Sequence, residues 1–211
     1  MYERNILIVD DSKNIPTLYI PQYEDRAEEV RRSCSKYENY HLKFEHTNTI
    51  EEAIKYLIGN NIVDVLIIDY RFNNSTSGQN GTDLVKYIRS HINKHCRVIF
   101  YTMHDISSIP ATDIISLVNN QIFKLVDKGK VNNEEFVNII YDAAINCDIV
   151  VTELERFWEE YKDIFNNYHY TFLGEHHKFD DIITHIRMDD SIGRNIVEKL
   201  LHKALIDSIE Y

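Results

Sequence analysis

The chain has 211 residues, 44% of them apolar and 27% charged, which fits one ordinary globular domain plus a smaller appendage and excludes a disordered chain. A formal net charge of −11 argues against a basic surface for nucleic acid or anionic membrane, and no apolar run nears the ~20 residues that span a bilayer. Three cysteines (Cys34, Cys96, Cys147) without metal-type spacing, in a chain whose acidic N-terminus is unlike a secretory signal, predict reduced thiols and a cytoplasmic location.

Asn5–Val9 is short, apolar and rich in β-branched residues, which predicts a buried strand ending at Asp10 and Asp11. Residues 12–22 hold two of the three prolines and read as a long loop. A helix is expected over 25–38, with Ala27, Val30, Cys34 and Tyr37 on one face, then a strand over Tyr40–His46. Thr49 and Glu52 have capping-box spacing ahead of the apolar stripe Ile50, Ala53, Ile54, Leu57 and Ile58, which Gly59 terminates. Val63–Ile68 is the next strand and ends at Asp69. A polar loop follows to Gly81, then a helix with Leu84, Val85, Ile88 and Ile92 inward. Arg97–Tyr101 is a strand ending at Thr102, a helix starts near Pro110, and Ile122–Val126 is a short strand with Lys128 just past it. Strands alternating with helices over residues 5–145 predict an α/β domain with a parallel sheet.

In an open parallel sheet, ligands bind in the crevice at the carboxyl ends of the strands. That topology gathers Asp10, Asp11, Asp69, Thr102 and Lys128 at one edge. Three carboxylates there repel one another without a cation, and a hard ion such as Mg²⁺ takes oxygen ligands. A lysine and a hydroxyl beside that ion suit a phosphoryl group, with Asp69 as the nucleophile that receives it.

The stretches ILIVDDS, DVLIIDYRF, GTDLVKYIR, VIFYT and IFKLVDKGK, in this order, resemble the receiver domain of two-component response regulators over residues 4–147. The resemblance implies a flavodoxin-like, doubly wound five-stranded parallel sheet. It implies that Asp69 is the phosphoacceptor, with Mg²⁺ or Mn²⁺ held by Asp10, Asp11, Asp69 and the backbone carbonyl of Arg71. Thr102 becomes the switch hydroxyl, Lys128 pairs with the phosphoryl oxygens, and the donor is a sensor histidine kinase or phosphotransfer protein. Two features depart from the pattern. The loop between Asp69 and Gly81 is longer than usual, and Leu125 stands where an aromatic switch residue is expected.

Each residue alone has a plainer reading: a polar loop start for Asp10 and Asp11, a cap for Asp69, a strand-end β-branched residue for Thr102, and solvated surface for Lys128. Their joint occurrence in strand order carries the prediction. His169, His176, His177 and His185 match no common zinc spacing and read as solvated or hydrogen-bonded side chains.

Apolar residues at three–four spacing from Asn133 to Phe165 predict one long helix of about 50 Å. A loop, NYHYTFLGEHH, and helices over 178–189 and 191–209 follow, so residues 148–211 are expected to form a small all-helical interaction or dimerisation module beside the receiver, 1–147. A homodimer through helix 133–165 and the C-terminal helices is one expectation. Residues 149–211 carry seven Lys and Arg against 13 Asp and Glu, a net of −6, which disfavours a DNA-binding output. The leading expectation is therefore a phosphorylated signalling switch that is not an enzyme in its own right. The alternatives are an unphosphorylated receiver-like scaffold, a phosphate sink, and a Mg²⁺-dependent phosphatase. The last lacks a second acid two residues after Asp69, where Arg71 stands.

Overall fold

The computed structural model describes residues 2–59, 62–72, 80–92, 96–103, 106–146, 149–165, 169–172, 174–188 and 190–209. Most of the loop 70–81 and Cys147 lie outside them. The chain divides into two compact units, Met1–Cys147 and Asp148–Tyr211.

In the first unit, β1 (Tyr2–Val9), β2 (Tyr40–Thr47), β3 (Val65–Ile68), β4 (Arg97–Thr102) and β5 (Lys124–Asp127) form one sheet in the order β2-β1-β3-β4-β5. All four pairings are parallel. This is the doubly wound order of flavodoxin-like sheets. Side chains alternate along β1: Ile6 and Ile8 enter one core layer, and Leu7 and Val9 the other. The first layer is closed by α1 (Ile20–Ser33) and α5 (Asn133–Ile145) through Tyr23, Ala27, Val30, Phe136, Ile140 and Tyr141. The second is closed by α2 (Ile50–Ile58), α3 (Gly81–His91) and α4 (Ala111–Asn119) through residues such as Ala53, Leu57, Leu84, Ile88 and Leu117. Every residue of β3 is buried, as expected of a central strand covered on both faces.

The caps follow the sequence. Thr49 accepts a hydrogen bond from the Glu52 amide, Asn80 caps α3 and Asn132 caps α5, the last two as complete capping boxes. The stretch expected to be loop, 12–22, is mostly helical: a π-helical turn at Ile15–Tyr19 runs directly into α1. Pro21 lacks an N–H and its ring crowds the carbonyl one α-turn back, and the wider π turn just before it relieves that crowding. Accordingly α1 ends at Ser33, short of the expected 38.

The single long helix 133–165 does not form. α5 ends at Ile145, and Asn146 leaves the helical region at φ −110°, ψ 20°. The end is built by side chains. The buried Arg4 donates to the Ala144 carbonyl (3.1 Å), Arg97 donates to the Asn146 carbonyl (2.9 Å), and the Asn146 side-chain Nδ2 donates back to the Asp142 carbonyl (2.8 Å). Cationic donors thus occupy acceptors that a longer helix would need for itself.

In the second unit, α6 (Ile149–Phe165), a two-stranded antiparallel ribbon of β6 (Tyr170–Phe172) and β7 (Glu175–His177), α7 (Phe179–Arg187) and α8 (Ser191–Ile209) follow in order. The ribbon replaces the expected loop, so the unit is not purely helical. Val151, Phe179, Ile182, Ile183, Ile186 and Ile196 form its core, and Trp158 stacks on Phe179 at 5.1 Å. Gly193 lets α8 approach the end of α7: a Cβ there would sit 2.1 Å from the His185 carbonyl oxygen. α6 kinks at Tyr161. Among the described helices, none is long and apolar enough to cross a membrane.

Candidate functional site

Register gathers the site. Val9 pairs with Ile68, so Asp10 and Asp69 leave adjacent strands side by side, and the Asp69 amide donates to the Val9 carbonyl (3.0 Å). Thr102 pairs with Asp127, and the Lys128 amide donates to the Thr102 carbonyl (2.9 Å), which sets the lysine at the same edge. Carboxylate oxygens of Asp10, Asp11 and Asp69 lie within 4.8 Å of one another, the one such group of acids, histidines or cysteines among the described residues.

The Lys128 ammonium sits 2.6 Å from Asp10 Oδ2, 3.7 Å from Asp69 Oδ1 and 4.8 Å from the centre of the Tyr101 ring. Asp10 is held from three sides. Its amide donates to the Thr47 carbonyl, its Oδ1 accepts from the Ser12 amide (2.8 Å), and His46 Nε2 lies 2.8 Å from its carbonyl oxygen. Asp69 Oδ1 is buried and has no hydrogen-bond partner. Burial is the main cause that pushes the Asp69 carboxyl above its ordinary pKa. Lys128 opposes the rise, and the charge of Asp10 adds to it.

A hard divalent cation fits this set. Every donor is an oxygen, the three carboxylates are within one ion's reach, and Asp69 offers a buried oxygen that accepts no hydrogen bond. Arg71 lines the same cleft. Thr102 closes β4 fully buried, and the cleft is lined on either side of it by Tyr101 and Met103. Leu125 packs half-buried against the second core layer.

Three features were not read from the sequence. Gly81 opens α3 against Asp69: a Cβ there would stand 2.2 Å from the Asp69 carbonyl oxygen. Tyr70, next to Asp69, packs on Phe100 and donates from its hydroxyl to Asp113 of α4 (2.8 Å), so the backbone just after Asp69 is tied to that helix. Third, the cleft carries a tyrosine wall of Tyr19, Tyr23 and Tyr101. The spacing Ile15, Tyr19, Tyr23, Ala27 was its signal, hidden by the prolines between.

A response regulator receiver protein from Pseudomonas putida superposes on this chain with a TM-score of 0.51 at 16% identity, covering 67% of this chain and 98% of its own. Residues 1–147 have the receiver fold. Looser superpositions include the N-terminal domain of a response regulator/sensory box/GGDEF 3-domain protein from Carboxydothermus hydrogenoformans (19% identity, TM-score 0.45, 74% of this chain and 98% of that one). Another is RcsB from Salmonella enterica serovar Typhimurium, solved bound to a promoter with the phosphomimetic BeF₃⁻ (20% identity, TM-score 0.47, 74% of this chain and 75% of that one). No family model and no curated protein matches the sequence.

Proposed function

We propose that the chain is a two-component signalling switch whose receiver unit accepts a phosphoryl group on Asp69 from a phosphohistidine of a sensor kinase or phosphotransfer protein. The observation that carries this reading is the buried Asp69 oxygen at the strand edge, which accepts no hydrogen bond and lies beside two further carboxylates and the Lys128 ammonium. Asp10, Asp11, Asp69 and the Arg71 carbonyl would hold Mg²⁺ or Mn²⁺, which when bound offsets the negative charge that gathers around the transferring oxygens. A carboxylate oxygen of Asp69 attacks phosphorus, the P–N bond breaks, and the imidazole leaves with the electron pair. Lys128, released from Asp10, pairs with a phosphoryl oxygen, and the Thr102 hydroxyl donates to another.

Output is assigned to protein–protein contacts of the second unit. Its residues 149–211 carry a net charge of −6, and Leu200, Leu201, Leu205 and Ile206 of α8 stand 45–62% exposed. A helix face of that kind is stabilised by burial against a partner.

The test is intact-mass analysis after incubation with acetyl phosphate and Mg²⁺. One phosphoryl group is expected on the native chain and none on Asp69→Ala or after EDTA. Absence of the gain with acetyl phosphate and with phosphorylated kinase would sink the reading.

A further inference from the structure

The acidic site is the floor of a cleft of about 460 Å³, within the size range of small-molecule pockets. Its lining extends past the three carboxylates and Lys128, so it offers room beyond a cation and one phosphoryl group. The surplus space is walled by Ile15, Tyr19, Tyr23, Tyr101 and Val131, all on the π turn, α1, β4 or the approach to α5. Tyr23 and Tyr101 are buried with their hydroxyls 3.4 Å apart, and Tyr101 stacks on Phe136 at 4.0 Å, so this wall is fixed by the core behind it. Tyr19 stacks on Tyr23 and keeps 37% of its surface exposed at the mouth.

The charges are graded. Asp10, Asp11 and Asp69 against Lys128 and Arg71 leave the lining at −1, and one divalent cation brings it to +1, attractive to a phosphate monoanion or dianion. An anionic end beside an aromatic wall selects for a molecule with both features.

We propose that this cleft binds a phosphomonoester with a flat aromatic body, its phosphate at the cation held by Asp10, Asp11 and Asp69 and its ring against Tyr19, Ile15 and Val131. The proposal rests on reading the three carboxylates as the cation site. It goes beyond phosphoryl acceptance, since it gives the receiver unit a small-molecule input at the same edge.

Titration of the full chain in Mg²⁺ with phenyl phosphate, methyl phosphate and inorganic phosphate, followed by calorimetry or ligand-detected NMR, tests it. Phenyl phosphate is expected to bind about tenfold more tightly than methyl phosphate. Tyr19→Ala should bring the ratio close to one, and Tyr19→Phe should keep it. Equal binding of the two esters, no binding of either, or a ring preference that survives Tyr19→Ala overturns the proposal. Acetyl phosphate labelling of the same samples separates the two readings. Labelling without ring preference removes the small-molecule site and leaves the switch, whereas ring preference without labelling does the reverse.

Discussion

Asp69 carries a cost that can be measured. Its ordinary pKa, near 3.9, applies when the chain is unfolded. Folding raises it, chiefly by burial, so between the two values the native state binds more protons than the unfolded state. The contribution to stability is therefore full below the unfolded pKa and is lost as pH rises through the folded one. Asp69→Asn is expected to raise the melting temperature at pH 7 by about 3 °C for each kcal/mol relieved. The gain should disappear near pH 4 in thermal scans across pH. Mg²⁺ should stabilise the native chain by mass action and Asp69→Asn by less. Lys128 behaves in the opposite sense. It is 12% exposed against an Asp10 that is 5% exposed, so Lys128→Met leaves a buried carboxylate uncompensated and should cost about 3 kcal/mol in urea unfolding, partly restored by Mg²⁺.

At the scale of elements, the position of Asp69 depends on α3. Gly81→Ala puts a methyl group 2.2 Å from the Asp69 carbonyl oxygen and 2.9 Å from Ile68, so strand end and helix must separate. Overpacking of this kind costs about 1–3 kcal/mol. The expected result is a lower denaturation midpoint together with slower labelling of Asp69 by acetyl phosphate. β1, β3 and β4 were legible in the sequence because each carries a short apolar run closed by a polar residue, and the strand order brought Asp10, Asp11, Asp69 and Lys128 to one edge. Two elements were not legible, for different reasons. Residues 15–19 looked like loop because Pro16 and Pro21 usually break helices, yet Pro16 falls in a first turn, where the missing N–H has no intrahelical partner to lose, and Pro21 follows directly on the π turn. The break at Asn146 was invisible to periodicity, because apolar spacing continues unbroken across it. What ends α5 is Arg4 and Arg97, more than 45 residues distant in sequence. The tyrosine wall inherited the first of these misreadings.

For the whole molecule, the two units have separate cores, and the switch reading requires the second to respond to the first. Size-exclusion chromatography with and without acetyl phosphate should show a shift on phosphorylation of the native chain. Leu201→Glu with Leu205→Glu should abolish the shift while leaving Asp69 labelling intact, since both side chains are exposed. The way α5 finishes also bears on how such a chain can be rearranged. The carbonyls of Ala144 and Asn146 are already satisfied by guanidinium groups of the first unit, so that unit supplies donors to the end of its own last helix. A chain cut after Asn146 should fold to a receiver of undiminished melting temperature, and a different effector sequence spliced at that point should inherit an intact acceptor. The junction is a seam at which outputs can be exchanged.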